Sequence, residues 1–214
     1  MKKSLLFLPF LLLLVGAFIS CEEVKEVGKY DNWRERNEAF ADSIKRLTGE
    51  NYVATAEQAD AMELGKLYAI QTTASTSEGA QYVYCKKLVK NETGERPLYT
   101  GYHSNVNIYY YGTYINGEEL DGNFDGYSSL DRSIPIPPVK VPTAFDSFNA
   151  FEVKTMNVGC MMALQLMRMG ERWILYIPYQ SGYGSSDYTP SYSSNTIPGY
   201  SALTFDMALD SFAE

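Results

Sequence analysis

From residue 203 to residue 210 the chain alternates without a break, with Leu203, Phe205, Met207 and Leu209 set against Thr204, Asp206, Ala208 and Asp210. Successive side chains of a strand point to opposite faces, so this run predicts a closing β-strand with one face buried and one wet. Upstream, residues 170–184 read as a helix-stopping glycine, Gly170, then a strand in which Trp173, Leu175 and Ile177 share a face, then the tight turn Gly182-Tyr183-Gly184. Ile197-Pro198-Gly199 marks a further turn into the closing strand. A chain that ends in two such strands is committed to a sheet.

The aromatic content agrees, with 18 Tyr against 10 Phe and 2 Trp. Tyrosine suits half-buried strands whose outer ends stay wet. Residues 82–88 give another strand and 91–94 a turn, and in 106–111 Val106, Ile108 and Tyr110 alternate with Asn107, Tyr109 and Tyr111. Residues 112–145 are dense in Gly, Asp, Ser and Pro, and a loop of that length is more often functional than filler. A strand is expected at 149–153 and a single helix at 160–169, with Cys160, Ala163, Leu164 and Met167 on one face and Gly170 as its cap. The architecture expected is α+β, an antiparallel sheet of about five strands wrapped around one short helix.

The N-terminal part reads differently. Residues 1–20 carry two lysines and an apolar run at 5–19, followed by Cys21, the tripartite shape of a secretory signal and short for a membrane span. Phe18-Ile19-Ser20-Cys21 resembles the bacterial lipoprotein box, which implies lipidation at Cys21 and an envelope location on the outer membrane, facing the periplasm or the surface; a signal peptide cleaved nearby is the other reading. Residues 22–29 form a charged tether, and Asp31 or Asn32 caps a helix whose Trp33, Phe40, Ile44 and Leu47 make an apolar face closed by Gly49. That face packs on its own domain or serves a homodimer or other partner. Thr55-Ala56-Glu57-Gln58 has capping-box spacing and starts a short second helix. Residues 71–80, rich in Thr, Ser and Gly, read as a linker, which divides a lipidated tether and N-terminal helical segment at 21–80 from a domain at 81–214.

Several chemistries lack their residues. Net charge is −8, against a nucleic-acid partner, which Lys and Arg must neutralise. His103 is the single histidine, no serine motif supports a triad, and neither a Cys/His zinc set nor a glycine-rich phosphate loop is present, so no metal or cofactor is expected. With Cys21 assigned to lipid, Cys85 and Cys160 are expected as free buried thiols. Asp121, Asp125 and Asp146 crowd the long loop, and only geometry can assign a glycosidase-type carboxylate pair among them. What remains is an apolar, aromatic pocket, suited to binding an apolar peptide segment or to a reaction without proton transfer, such as rotation about an X-Pro bond.

Six motifs then arrive in the order of a known family: Val106-Asn-Ile-Tyr-Tyr-Tyr-Gly112, the Asn116-Gly117 hairpin, Val158-Gly-Cys160 opening the helix, Ala163 to Glu171 continuing it, Ile177-Pro-x-x-x-Gly-Tyr-Gly184, and Ile197-Pro-Gly-x-x-x-Leu-Thr-Phe-Asp206. Residues 81–212 resemble the FKBP-type peptidyl-prolyl cis-trans isomerases, and with the leader they resemble envelope members from Bacteroidetes. The resemblance implies that Tyr110 lines the pocket, that Tyr183 donates its hydroxyl to the substrate carbonyl, and that Ile197 and Phe205 form apolar walls. It implies a ligand-binding backbone N–H beside Met156 and Asn157, and Trp173 as core beneath the site. Direct spacing from Gly117 selects Leu120-Asp121 as the family's Phe-Asp pair, residue type selects Phe124-Asp125, and Phe145-Asp146 also fits in type. Cys160 stands where the best-known members have an aromatic floor. The implied function is isomerisation of proline-containing polypeptide clients during envelope or secreted protein folding, with weak activity; the alternative is a non-catalytic binding module on the same fold.

Overall fold

The computed structural model describes residues 28–77, 79–133, 138–191 and 195–213. The leader, Cys21 and most of the tether lie outside the described residues. Met1–Asp31 is a separate unit, and Asn32–Glu214 is one compact unit.

Within that unit two helices precede the sheet. Helix α1, Trp33–Thr48, buries Trp33, Phe40 and Ile44. Helix α2, Ala56–Asp60, starts at the expected capping box, with Gln58 N–H donating to Thr55 Oγ1 and the Gln58 side chain accepting from the Thr55 N–H. The strands are β1 (Leu67–Thr76), β2 (Gly79–Val89), β3 (Asn105–Tyr114), β4 (Glu119–Gly122), β5 (Asn149–Glu152), β6 (Arg172–Ile177) and β7 (Leu203–Phe212), and helix α3, Val158–Leu164, lies between β5 and β6. They form one antiparallel sheet in the order β1-β2-β6-β7-β3-β4, with β5 also on β3.

The far edge of β3 is thus shared. Its first half pairs with β5 through Asn105 to Ile108, and its second half with β4 through Tyr111 to Thr113. In the gap a side chain replaces a strand: Asn123 Oδ1 accepts from Tyr110 N–H at 2.8 Å and Asn123 Nδ2 donates to the Ile108 carbonyl at 3.0 Å. Backbone groups that would otherwise be unpaired are satisfied there.

Each face of the sheet carries a helix. On the inner face α3 packs against β1, β2 and β6 over Val83, Cys85, Trp173, Leu175 and Ile177. On the outer face α1 lays Phe40 and Ile44 onto Leu67, Tyr84, Ile174 and Tyr176.

The sheet has seven strands, two more than the periodicity suggests. Where composition reads as a linker, residues 71–76 lie in β1 and 79–80 in β2, and the two strands pair with each other. Threonine is a good strand former, and Thr72 is buried with its hydroxyl bonded to Ser181 Oγ at 3.0 Å. Helix α3 ends at Leu164 rather than reaching Met169, because Met169 N–H donates to the Glu95 carbonyl and Gly170 N–H to the Leu209 carbonyl, outside any helical ladder. The apolar face of α1 packs on its own sheet through Phe40 and Ile44, while Leu47 at its end stays exposed. The expected wet face of β7 is dry in its first half, where Thr204 and Asp206 are fully buried, and wet in its second, where Ala208 is half-buried and Asp210 exposed.

Candidate active site

A cavity of about 760 Å³ opens on the inner face between β3, β4, β5, the start of α3 and the chain that leads into β7. Tyr110 projects into it from β3. Its hydroxyl donates to Asp121 Oδ2 at 2.9 Å, and its ring meets Phe151 edge-on at 5.4 Å. The β3–β4 register pairs Gly112 with Asp121, which brings the carboxylate alongside Tyr110. Tyr110 is therefore held at both ends, at its backbone by Asn123 and at its hydroxyl by Asp121.

Phe205 forms a wall from β7, opposite Gly112 in register. A Cβ on Gly112 would lie 2.5 Å from Phe205 Cε1, so glycine there lets the ring lie flat on the strand. Ile197 is fixed by reciprocal backbone bonds with Tyr188, at 2.7 and 2.9 Å. Tyr183 follows the 3-10 turn Tyr179–Ser181 and stacks on Tyr188, with 4.8 Å between centroids and 18° between planes.

At the floor, Asn157 caps α3, its Oδ1 accepting from Cys160 N–H at 2.9 Å. The Asn157 backbone N–H has no hydrogen-bond acceptor among the described residues. Burial pushes the Cys160 thiol up to about 12, against the hydrogen bond from Asn157, so it stays neutral. Cys85 is also free and buried. Asp121 is the single acidic group lining the cavity among the described residues.

The family model of the FKBP-type peptidyl-prolyl cis-trans isomerase matches residues 101–210, just over half of the 214. The chain belongs to this family. Among curated relatives, the macrophage infectivity potentiator of Trypanosoma cruzi is 38% identical over 78 residues, covering 34% of this chain and 37% of that protein, so the match spans little more than a third of the relative's length. Among solved structures, a peptidyl-prolyl cis-trans isomerase from Pseudomonas syringae pv. tomato has a TM-score of 0.45 at 17% identity, over 83% of this chain and 96% of that one. FkpA from Escherichia coli has a TM-score of 0.42 at 21% identity, over 100% and 76%.

In this FKBP-type chain the cavity gathers Tyr110, Asp121, Met156, Asn157, Cys160, Tyr183, Ile197 and Phe205. It leaves out Phe124 and Asp125. Once Asn123 has stitched the chain to the edge of β3, the backbone passes to the outer face, where the buried Phe124 ring lies 5.2 Å from the Arg172 guanidinium. Asp125 is solvent-exposed, with Lys140 Nζ at 3.5 Å. Phe145-Asp146 is a surface turn. Trp173 is fully buried, its Nε1 donating to Glu171 Oε2 at 3.0 Å. His103 lies elsewhere, stacked on Phe212 and 3.0 Å from Glu95.

Phe148, Phe151 and Tyr188 also line the cavity and escaped sequence reasoning. The two phenylalanines sit in or beside a strand short enough to read as core. Tyr188 belongs to a Ser/Tyr-rich stretch whose single isolated bridge to Ile197 leaves no periodicity.

Proposed function

We propose that this cavity binds an X-Pro segment of a polypeptide and speeds rotation about its amide. The barrier, about 18–20 kcal/mol, comes from amide resonance and needs no acid or base to cross it. A site can lower it by excluding water and by holding the twisted amide better than the planar one. The Tyr110–Asp121 pair, set in apolar walls of Ile197 and Phe205, carries this reading. Tyr183 and the Asn157 N–H are the groups assigned to the substrate carbonyl, and Met156 and Cys160 to the apolar floor.

The envelope setting belongs to the same proposal. The leader and Cys21 give a lipid-anchored protein in the cell envelope, acting on proline-containing secreted or outer-membrane polypeptides. Incorporation of a tagged fatty acid that is lost in Cys21→Ser tests the anchor; labelling that persists in that variant removes it.

The central test is cis-trans exchange of proline peptides by NMR. The chain without its leader should accelerate exchange, and Tyr183→Phe should slow the catalysed rate about 10-fold, near the worth of one hydrogen bond. Exchange at the buffer rate across several residues preceding proline overturns catalysis. If peptide binding survives that result, the cavity is a binding module instead.

A further inference from the structure

The arm formed by residues 138–148 runs from the outer face to the mouth of the cavity with apolar side chains in water. At one end Val139 and Lys140 N–H groups donate to the Tyr127 hydroxyl at 2.8 and 3.2 Å. At the other, Phe148 lines the cavity and meets Tyr109 edge-on at 6.0 Å. Between them Val139 is 74% exposed, Val141 51% and Phe145 98%, and Phe148 itself 45%. A phenylalanine left in water forgoes the gain of burial, and a capped turn leaves this one there. Thr143 N–H and Oγ1 both donate to Asp146 Oδ2, at 2.7 and 2.8 Å, Asp146 N–H donates to the Thr143 carbonyl, and Phe145 N–H donates to Thr143 Oγ1. Exposed apolar strips of this kind mark contact surfaces.

We propose that Phe145, with Phe148, forms an apolar lip that takes a bulky apolar side chain of the client polypeptide a few residues from the proline in the cavity. The inference rests on the reading of the cavity as an X-Pro site. Continuity with that site identifies the occupant. Phe148 belongs to both surfaces, and three residues of chain keep the Phe145 Cα within about 11 Å of it. An extended peptide advances about 3.3 Å per residue, which puts the gripped side chain about two to four residues from the proline. The carboxylate beside the lip, Asp146, is turned back onto Thr143 N–H and Oγ1, so the lip side chains themselves, Phe145 and Phe148, are apolar.

The test uses two peptides with one X-Pro core, one carrying Phe three residues from the proline and the other Ser, and the chain with and without Phe145→Ser. Affinity is read by fluorescence anisotropy and exchange by NMR. The unmodified chain should bind the Phe peptide about 10-fold more tightly. Phe145→Ser should erase that preference while leaving exchange on the Ser peptide unchanged; the turn is held by Thr143 and Asp146, which the substitution leaves in place. Equal affinities for the two peptides, or a preference that persists in Phe145→Ser, overturns the lip. So does a concentration-dependent dimer in light scattering that Phe145→Ser abolishes, since a second copy would then be the occupant. A tenfold preference with no exchange on either peptide supports the lip and removes the isomerase reading alone.

Discussion

Both faces of this sheet are buried, but by different means. The inner face is covered by a short helix and left partly open as a cavity, with apolar walls and, among the described residues, one carboxylate; away from the cavity it buries Lys87 Nζ against Glu171 Oε1 at 2.7 Å, beside Trp173. The outer face is closed by α1 and by the long segment after β4, and it buries an ion pair: Arg172 Nε and Nη2 donate to Asp206 at 2.8 and 2.5 Å. Phe124 and Tyr127 flank that guanidinium at 5.2 and 5.3 Å, Tyr127 N–H donates to Asp206 Oδ2, and Arg172 also donates to the Lys140 carbonyl. Strand β7 serves both faces, with Phe205 and Met207 on the cavity and Asp206 between them on the outer side. One strand thus carries function on one set of positions and cohesion on the other.

Removing α1 should break the outer face most completely. Its Trp33, Phe40 and Ile44 are buried, Trp33 Nε1 donates to Ser201 Oγ, and Asn37 Oδ1 accepts from Ala202 N–H. Three such side chains are worth roughly 1.5–3 kcal/mol each, a large share of a typical total of about 5–15 kcal/mol. A chain starting at Asn51 is expected to lose its cooperative urea transition; an unchanged midpoint would show that α1 is only an ornament. Next in size, Asp206→Ala strands a buried guanidinium and should cost about 3–5 kcal/mol. Replacing both partners, Arg172→Met with Asp206→Leu, should recover most of it. If the double variant is no better than the single, the pair does more than neutralise itself.

An effect that is absent at neutral pH separates the two faces by titration. Cys160, pushed up to about 12 by burial, and Cys85, pushed up further by burial, lie in the inner core. Tyr84, pushed up to about 12 by burial, and Tyr176, also raised by burial, lie in the outer one. Unfolding returns thiols to about 8.5 and phenols to about 10. The unfolded chain then binds fewer protons, so stability falls as pH rises, by up to about 1.4 kcal/mol per pH unit for each thiol. Urea midpoints should decline from about pH 8.5 and more steeply from about pH 10. In Cys85→Ala/Cys160→Ala the first limb should vanish and the second remain. A first limb that persists without thiols assigns it to other groups.

Much of the inner face was legible. The alternation at 203–210, the Tyr110 strand, the capping box at Thr55 and the Gly182-Tyr183-Gly184 turn are local patterns, and the order of motifs pointed to the family and, without alternatives, to Tyr110, Met156, Asn157, Cys160, Tyr183, Ile197 and Phe205 of the cavity. The outer face was not legible in the same way. Composition made residues 71–80 a linker, although Thr-rich sequence is equally a strand once a partner lies beside it. The choice among Asp121, Asp125 and Asp146 stayed open because residue type and spacing disagreed.

By itself, the sequence determined period, turns and caps, because these depend on neighbours a few residues apart. Tertiary structure alone decided which aspartate meets Tyr110, since the β3–β4 register selects Asp121 and the Asn123 stitch sends Phe124 and Asp125 to the outer face. It also decided that Thr204 and Asp206, on the polar side of β7, are buried while Asp210 stays exposed. What covers Asp206 is Tyr127, 79 positions away, and what clamps the chain just ahead of that strand is Asn37, 165 positions from Ala202. Burial is a property of the covering element, and no local pattern in a strand encodes what will come to lie on it.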